Sequence, residues 1–490
     1  MSVGFNNITD IRVPFVAVEF DNSKAQQGPA IQPFQTLIMG QKRSTGTATA
    51  LAVVTVTSEA QARTLFGAGS MLQWMVKRYL QNDLVTTLQV VPIVDNAAGV
   101  IATGKVSIVG PATADGVLSI YFAGKKIETS VTSGDVATAV ATALAAAINA
   151  DTDAQVTAAV NGSNLFEVDI SARHKGTMGN QIDIRLNYFA EDLTPAGLAI
   201  TLTAMASGAG DPDTNTIFAA LPEEQYNVVI NPWNDTSNMT KLETELDSRF
   251  GPMKAIDSVS FTTKLGSLGT LSSYGNARNN SHSCILGPCK AAPNPSWEWS
   301  SATGGQAAKS AQIDPARPFT TLPLVGILAP NKSDEFIMSE RNTLLTDGIA
   351  STKIVIGIPQ IERLITSYQV NAASQPDTSY LDATTLFTLS YLRYSFRNRM
   401  ASKFPRHKLA NDGTRFGPGQ PVITPSIAKA EAISLFGEWE RAGLVEGVDQ
   451  FTRDLVIERN ASNPNRIDCL LPPDLVNQLL NVAAQIQFLL

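Results

Sequence analysis

Apolar and polar positions alternate right to the end of this chain. Ala484, Ile486, Phe488 and Leu490 share one parity, and Gln485, Gln487 and Leu489 the other, which is the period of a half-buried strand. Two more strand-like runs precede it, 454–459 and 466–471. The polar, Pro-containing stretch 460–465 between them has a turn composition. A last strand needs something to pair with. Folding back on its own hairpin would make the chain a self-contained globule. Reaching a neighbour's hairpin would make it a polymer subunit, because an open sheet edge accepts a strand from another molecule. We take the second reading. The segment 473–484 fits a helix, through Leu475, Leu479, Leu480 and Ala483, as well as it fits an extended arm.

From the start, 1–12 is polar and without a period, and 15–20 reads as a first strand entered from a short arm, with Pro14 before it. QTLIM at 35–39 reads as a buried strand ended by Gly40. Residues 58–81 are helical with a break near Gly67 and Gly69, and Leu72, Met75, Val76 and Leu80 form the apolar face. The run 84–94 predicts an apolar strand with Pro92 at its end or on an edge. From 96 to 210 charge falls and Ala, Thr, Gly and Val dominate. Alternation predicts strands at 118–122, 127–131, 166–170 and 182–186. Further strands are expected at 156–160, before the Asn161-Gly162 hairpin signal, and at 198–205. One helix, 134–149, carries Val136, Val140, Leu144 and Ile148 on its buried side, with Ser133 or Asp135 to cap it. This is a β-rich module inserted between two α/β parts and closed by a linker composition at 207–213.

Residues 214–335 alternate strand and helix (226–230, 240–250, 255–261, 265–277 as helix or loop, 283–286), which predicts a mostly parallel sheet with helices on its faces. The long stretch 290–312 is rich in Pro, Ser and Gly and holds Trp297 and Trp299. It predicts a functional or interfacial loop. Residues 335–450 predict helices, chiefly 380–403 and 426–442, with a strand at 353–358. The predicted fold class is multidomain α/β (α+β): a mostly parallel α/β domain, a β-rich inserted module and a C-terminal helix/strand domain.

At 490 residues, 44% hydrophobic and 17% charged, the chain supports a large core spread over about three domains. A net charge of −7 argues against general nucleic-acid binding. Three cysteines cannot staple a chain this long, which predicts assembly in a reducing compartment. The start lacks a basic region followed by an apolar one, so no signal peptide is expected. No run reaches about 20 apolar residues, so no membrane insertion is expected. His282, Cys284 and Cys289 lack a fourth ligand and read as buried groups in a strand and turn. The GxxG in 175–179 lacks its helical setting and reads as a plain turn. There is no phosphate loop, dinucleotide fingerprint, HExxH or GxSxG, and the three histidines (His174, His282, His407) support no Ser-His-Asp spacing. No enzyme, cofactor or metal is expected. One charged feature is out of keeping with an acidic chain: Arg393, Arg397, Arg399, Lys403, Arg406, Lys408 and Arg415, opposed between 390 and 415 only by Asp412. It reads as a solvated helix face with local ion pairs or as a contact for an acidic partner. Nucleic acid is a third reading, which lacks interleaved aromatics.

Six stretches resemble the tail sheath proteins of contractile-tailed bacteriophages, and closely their Mu-like branch. They are VPFVAVEFDNSKA near the start, DPARPFTTLPLVGILAP (314–330), GIASTKIVIGIPQIERLITSYQ (348–369), DTSYLDATTLFTLSYLRYSFRNRM (377–400), FPRHKLANDGTRFG (404–417) and NPNRIDCLLPPDLVNQLLNVAAQIQFLL (463–490). They span nearly the whole chain in family order. None is a chemical motif, so their specificity lies in number and length. The 96–210 module resembles only the Mu-like branch.

The resemblance implies a non-enzymatic structural subunit of a virion. Such subunits form sixfold rings stacked helically around a tail tube, and the sheath shortens to drive the tube through the host envelope for genome ejection. It implies an arm at 1–14, a first part of the sheath core at 15–95, the inserted module at 96–210, and an α/β domain at 211–335 with a subtilisin-like fold lacking the triad. A C-terminal sheath domain at 336–478 and an arm strand at 479–490 complete it. Exchanging terminal arms place the inter-subunit contact at Ile486, Phe488 and Leu490. The acceptor hairpin would carry Leu455, Ile457, Ile467 and Leu470, and the tube contact Arg393, Arg397, Arg399 and Lys403. The implied partners are further copies, the tail tube protein, and baseplate and tail terminator proteins, with assembly in the host cytoplasm. Two readings compete: a soluble binding module for an acidic or carbohydrate partner through Trp297 and Trp299, and a hydrolase built on 214–335, for which no nucleophile–base pair is found.

Overall fold

The computed structural model describes residues 32–417 and 419–489. The expected arm 1–14, the expected strand 15–20 and Leu490 lie outside the described residues. Residues 34–390 with 477–489 form one compact unit, called the core unit below, and Tyr391–Val476 another.

The core unit opens with β1 (Gln35–Gln41), β2 (Val54–Thr55), α1 (Glu59–Phe66), α2 (Met71–Asn82) and β3 (Thr87–Ile93). β1 runs through Gly40 rather than ending there. The glycine makes room for α2, since a Cβ would stand 2.9 Å from the Leu72 side chain. Both helices start on serine caps, Ser58 accepting from the Gln61 N–H and Ser70 from the Gln73 N–H. Leu72, Met75 and Val76 are buried as their spacing predicts, but so are Trp74, whose Nε1 donates to the Asp153 carbonyl, Arg78, which donates to Glu298, and Tyr79, whose hydroxyl is hydrogen-bonded to Thr36 and Asp83. Leu84 and Val85 fall outside β3 and are exposed. Pro92 sits past the two residues paired with β2, where Leu51 donates to its carbonyl.

The inserted segment forms β4 (Ile101–Val109), β5 (Gly116–Phe122), β6 (Lys125–Val131), α3 (Ala137–Ala150), β7 (Val156–Val160), β8 (Glu167–Lys175), β9 (Ile184–Leu186) and β10 (Ala199–Ala206). They make two antiparallel sheets, ordered β10-β4-β8-β7 and β6-β5-β9. β4 is an inner strand that the alternation did not announce, because two of its four inward residues are Ala102 and Gly104. α3 has no side-chain cap. Its N-cap is the exposed Val136, and the Asp135 carboxylate accepts from the Thr132 N–H instead. Asn149 of α3 exchanges two hydrogen bonds with the backbone of Ala158 and so occupies the outer edge of β7. The β7–β8 connection spans six residues rather than a two-residue turn, with Asn161 Oδ1 accepting from the Ser163 and Asn164 N–H groups. The expected linker is a fixed strap: the Asp211 carboxylate accepts from the Thr177 N–H at 2.8 Å.

The chain continues through α4 (Asn215–Ala220), β11 (Val228–Ile230), α5 (Thr236–Phe250), β12 (Val259–Thr263), α6 (Leu268–Asn276), β13 (Ser283–Leu286) and α7 (Ser296–Ile313). One sheet gathers strands from both sides of the insertion, ordered β13-β12-β11-β1-β3-β2, all parallel except β2. The expected loop 290–312 is corrected: it is mostly α7, and Trp297 and Trp299 are buried. Its glycines allow close approach to the sheet and to α2. A Cβ on Gly304 would lie 2.6 Å from Ile230, and one on Gly305 would lie 3.1 Å from the Tyr79 carbonyl. The same helix buries Glu298, which accepts from Arg78 Nε at 2.7 Å, Gln155 Nε2 at 2.6 Å and Asn294 Nδ2 at 2.8 Å. That one carboxylate ties α2, the inserted module and α7 together. Next come α8 (Met338–Thr346), β14 (Ser351–Val355), β15 (Ile358–Arg363) and α9 (Ala383–Lys403). The single strand expected at 353–358 is the end of a hairpin, whose two-residue turn Ile356-Gly357 breaks it.

The Tyr391–Val476 unit contains β16 (Lys408–Leu409), β17 (Val422–Ile423), α10 (Pro425–Arg441), β18 (Val445–Glu446), α11 (Val448–Asp454), β19 (Val456–Arg459), β20 (Ile467–Leu470) and β21 (Asp474–Leu475). Thr424 caps α10 and Pro425 opens its first turn. Phe436 stacks on Phe451 at 4.1 Å, and Trp439 Nε1 donates to Ser395 Oγ at 2.9 Å. β21 pairs with β18, so the chain is extended at 474–475 and no helix follows.

Candidate assembly site

β19 and β20 form the expected hairpin, with Val456 opposite Leu470 and Arg459 opposite Ile467. Its loop is held by Asn460, whose Oδ1 accepts from the Ser462 and Asn463 N–H groups. Leu455 lies just before β19 and is buried, and its carbonyl accepts from Lys429 of α10 at 2.9 Å. The register puts Leu455, Ile457 and Ile467 on one face and Leu470 on the other, where it is exposed beside Val456. The four expected acceptor residues therefore do not share a face. Neither β19 nor β20 is joined to a third strand among the described residues, so each keeps an outer edge of backbone donors and acceptors.

The C-terminal segment is extended. No residue from 476 to 489 is in a helix or strand, and all from 481 to 489 are exposed. Gln478 donates to Thr384 Oγ1, which fixes the root of the segment in the core unit. Beyond it, Leu479, Val482, Ile486, Phe488 (78% exposed) and Leu489 face solvent, and no residue from 477 to 489 is ionisable. The half-buried strand expected from the alternation is not formed: among the described residues nothing pairs with 484–489, and both parities are exposed.

The basic face of α9 is partly spent on its neighbour. Arg399 is held by Glu431 at 2.8 Å and by Glu438, both on α10, and Lys403 pairs with Glu431 at 2.8 Å. The hydrogen bonds that Arg399 donates to these carboxylates, Glu438 foremost, push its guanidinium further up. Burial works to raise Glu431, yet Lys403 and Arg399 hold it below the usual carboxylate range. The acids opposing this helix lie some thirty residues on, outside the window in which only Asp412 was visible. Arg393 is half-buried and Arg397 exposed on the same helix.

The remaining chemical candidates are closed. Cys284 and Cys289 are buried, and burial pushes both thiols well up. His174 has both ring nitrogens engaged, Nδ1 with Asp95 at 2.8 Å and Nε2 accepting from the Met71 N–H. Among the described residues, no group of three or more His, Cys, Asp or Glu side chains is placed to hold a metal ion. No described helix is long and apolar enough to cross a membrane.

Comparison with known proteins decides the family. Residues 207–367 match the phage tail sheath protein central domain, and 375–489 match the phage tail sheath C-terminal domain. Over its full length the chain is 44% identical, across 492 aligned residues covering 100% of both proteins, to the Mu-like prophage FluMu tail sheath protein of Haemophilus influenzae. This chain belongs to the phage tail sheath family. Among solved structures, the sheath tail protein of Desulfitobacterium hafniense shares the fold, with a TM-score of 0.51 and 10% identity over 95% of this chain and 97% of that one. The contracted sheath complex of an extracellular contractile injection system matches at a TM-score of 0.49 and 10% identity, over 98% of each chain. With the Trp297/Trp299 loop replaced by a buried helix, the competing reading as a binding module for an acidic or carbohydrate partner loses its site.

Proposed function

We propose that this chain is the structural, non-enzymatic subunit of a contractile tail sheath, polymerising as stacked sixfold rings around a tail tube. The link is the donation of its C-terminal segment to the β19–β20 hairpin of a neighbour. One observation carries the reading: an extended, exposed, apolar segment with no strand partner among the described residues, in a chain whose hairpin keeps open edges. Strand addition supplies main-chain hydrogen bonds, and alternate side chains (Ile486, Phe488, Leu490) supply burial. A donor and an acceptor on every copy make a head-to-tail contact, which builds a filament when it does not close. Links to several neighbours make simultaneous loss improbable. Two packings of the same folded bodies then supply the bistable element that contraction needs.

In this reading Arg393 and Arg397 meet the tail tube, while Arg399 and Lys403 anchor α9 to α10. Baseplate and terminator proteins bound the polymer, which becomes part of the virion. The test is electron microscopy of the purified chain beside its 479–490 deletion. Hollow tubes are expected from the intact chain alone. Monomers from the intact chain, even with tube protein as template, would overturn the reading. Arg393→Glu with Arg397→Glu is expected to weaken co-purification with tube protein at low salt more than self-assembly.

A further inference from the structure

The inserted module stands where the parallel sheet would otherwise take a ligand. Strand order rises away from β1 in both directions, to β3 on one side and through β11 to β13 on the other, so it reverses between β1 and β11. In sheets of this kind the crevice outside the carboxyl ends of the strands, at the reversal, is the usual ligand seat. Here module residues fill it. Gln41, the last residue of β1, is fully buried, and its Nε2 donates to the Asp95 carboxylate and to the Lys175 carbonyl, both at 2.8 Å. Past β11, Gln181 Nε2 lies 3.5 Å from Asn234 Oδ1.

The module is also held away from that seam. Just before β7, the Asp153 carbonyl accepts from Trp74 Nε1 at 2.8 Å and its carboxylate from Gln73 Nε2 at 3.0 Å, both on α2. Gln155 uses both ends of its amide on α7, donating to Glu298 at 2.6 Å and accepting from Trp297 Nε1 at 3.2 Å. The second module sheet has its own anchorage, where the Tyr188 hydroxyl donates to the Ala329 carbonyl and Arg185 Nη1 to Asn331 Oδ1, both at 2.9 Å. A body joined only at its two chain crossings, near 95 and 211, could pivot about them. Contacts at the strand ends, along α2 and α7, and at 329–331 leave no such axis free. Gln41 and Glu298 are fully buried, and without the module each would lose a hydrogen-bond partner that water does not replace.

We propose that the inserted module is a brace of the core unit rather than an appendage. It fills the crevice in place of a ligand, it folds and unfolds with the parallel sheet as one cooperative body, and it adds no hinge at either crossing. In a contractile sheath the module is then carried by the core while subunits repack, and that consequence alone rests on the sheath reading.

Leu144→Ala in the full chain separates a brace from an appendage. Leu144 is fully buried on α3, which packs on β4, β6, β7 and β8, so the cavity it leaves lies inside the module. Hydrogen exchange is followed by mass spectrometry on dispersed subunits. The slowest amides of β1, β3 and β11 are expected to exchange at least about thirtyfold faster than in the parent, in step with those of β4 and β8, because both sets report one shared opening. Faster exchange in β4 and β8 alone, with the parallel sheet unchanged, would overturn the proposal. The parent supplies a second measurement that no folding defect can spoil. On heating, its module and parallel-sheet amides are expected to lose protection together, and loss at two separate temperatures would equally refute the brace. Neither readout needs assembly, so a failed brace leaves the sheath reading standing, and a chain that forms no tubes leaves the brace standing.

Discussion

Helix α7 and the C-terminal segment invert each other. Residues 290–312, rich in Pro, Ser and Gly, read as a loop, yet Ser296–Ile313 form a helix buried almost all round. Residues 477–489 carry a strand's alternation, yet they lie extended and exposed. The difference lies in where the partner is. α7 is covered by α2 and by the sheet, so no polar side remains to set a period. The C-terminal segment has a period although none of the described residues of its own chain covers it, and under the proposed strand exchange a neighbour covers one of its faces. Periodicity records that a residue is to be buried, not which molecule buries it.

Four changes sharpen that contrast, from strong to weak effects on folding. Glu298→Ala leaves the Arg78 cation without its carboxylate, and should cost about 3–5 kcal/mol in denaturant unfolding. Gly304→Ala pushes a methyl into Ile230 and should cost about 1–3 kcal/mol by the same measurement. Asp192→Asn probes acid sensitivity. Burial would raise this carboxyl, but hydrogen bonds from Lys126 and Tyr121, at 2.8 and 2.6 Å, outweigh it and hold the pKa at about 2 rather than 3.8. A depressed folded-state pKa gives stabilisation that is complete above about pH 4 and is lost as pH falls towards 2. The unfolding midpoint of Asp192→Asn should therefore vary less with pH in that window than the parent's. Deleting 479–490 should change folding stability by less than about 0.5 kcal/mol. A clear drop in melting temperature would mean the segment is covered by its own subunit, and the contrast with α7 would collapse.

Much of the frame was legible in the sequence. The parallel strands, the inserted β module and the β19–β20 hairpin stand where apolar runs and turn residues put them. What escaped did so for physical reasons. β4 packs Ala102 and Gly104 inward, where an alternation test looks for large side chains. α7 uses Gly304 and Gly305 as contact residues, although in isolation glycine speaks against a helix. Glu431 and Glu438 neutralise Arg399 and Lys403 across a helix pair, and only the three-dimensional packing brings them within reach. Glu298 gave no hint of burial, since an unpaired carboxylate normally stays in solvent and its partners Arg78 and Gln155 lie far away in sequence.

The C-terminal segment has no ionisable side chain from 477 to 489. In the proposed joint this segment contributes nothing that titrates, and the ionisable groups, Glu458, Arg459, Arg466 and Asp468, all belong to the acceptor hairpin. Salt and protons would then act on the proposed tether through its acceptor alone, and the donated strand would hold by backbone hydrogen bonds and apolar contact.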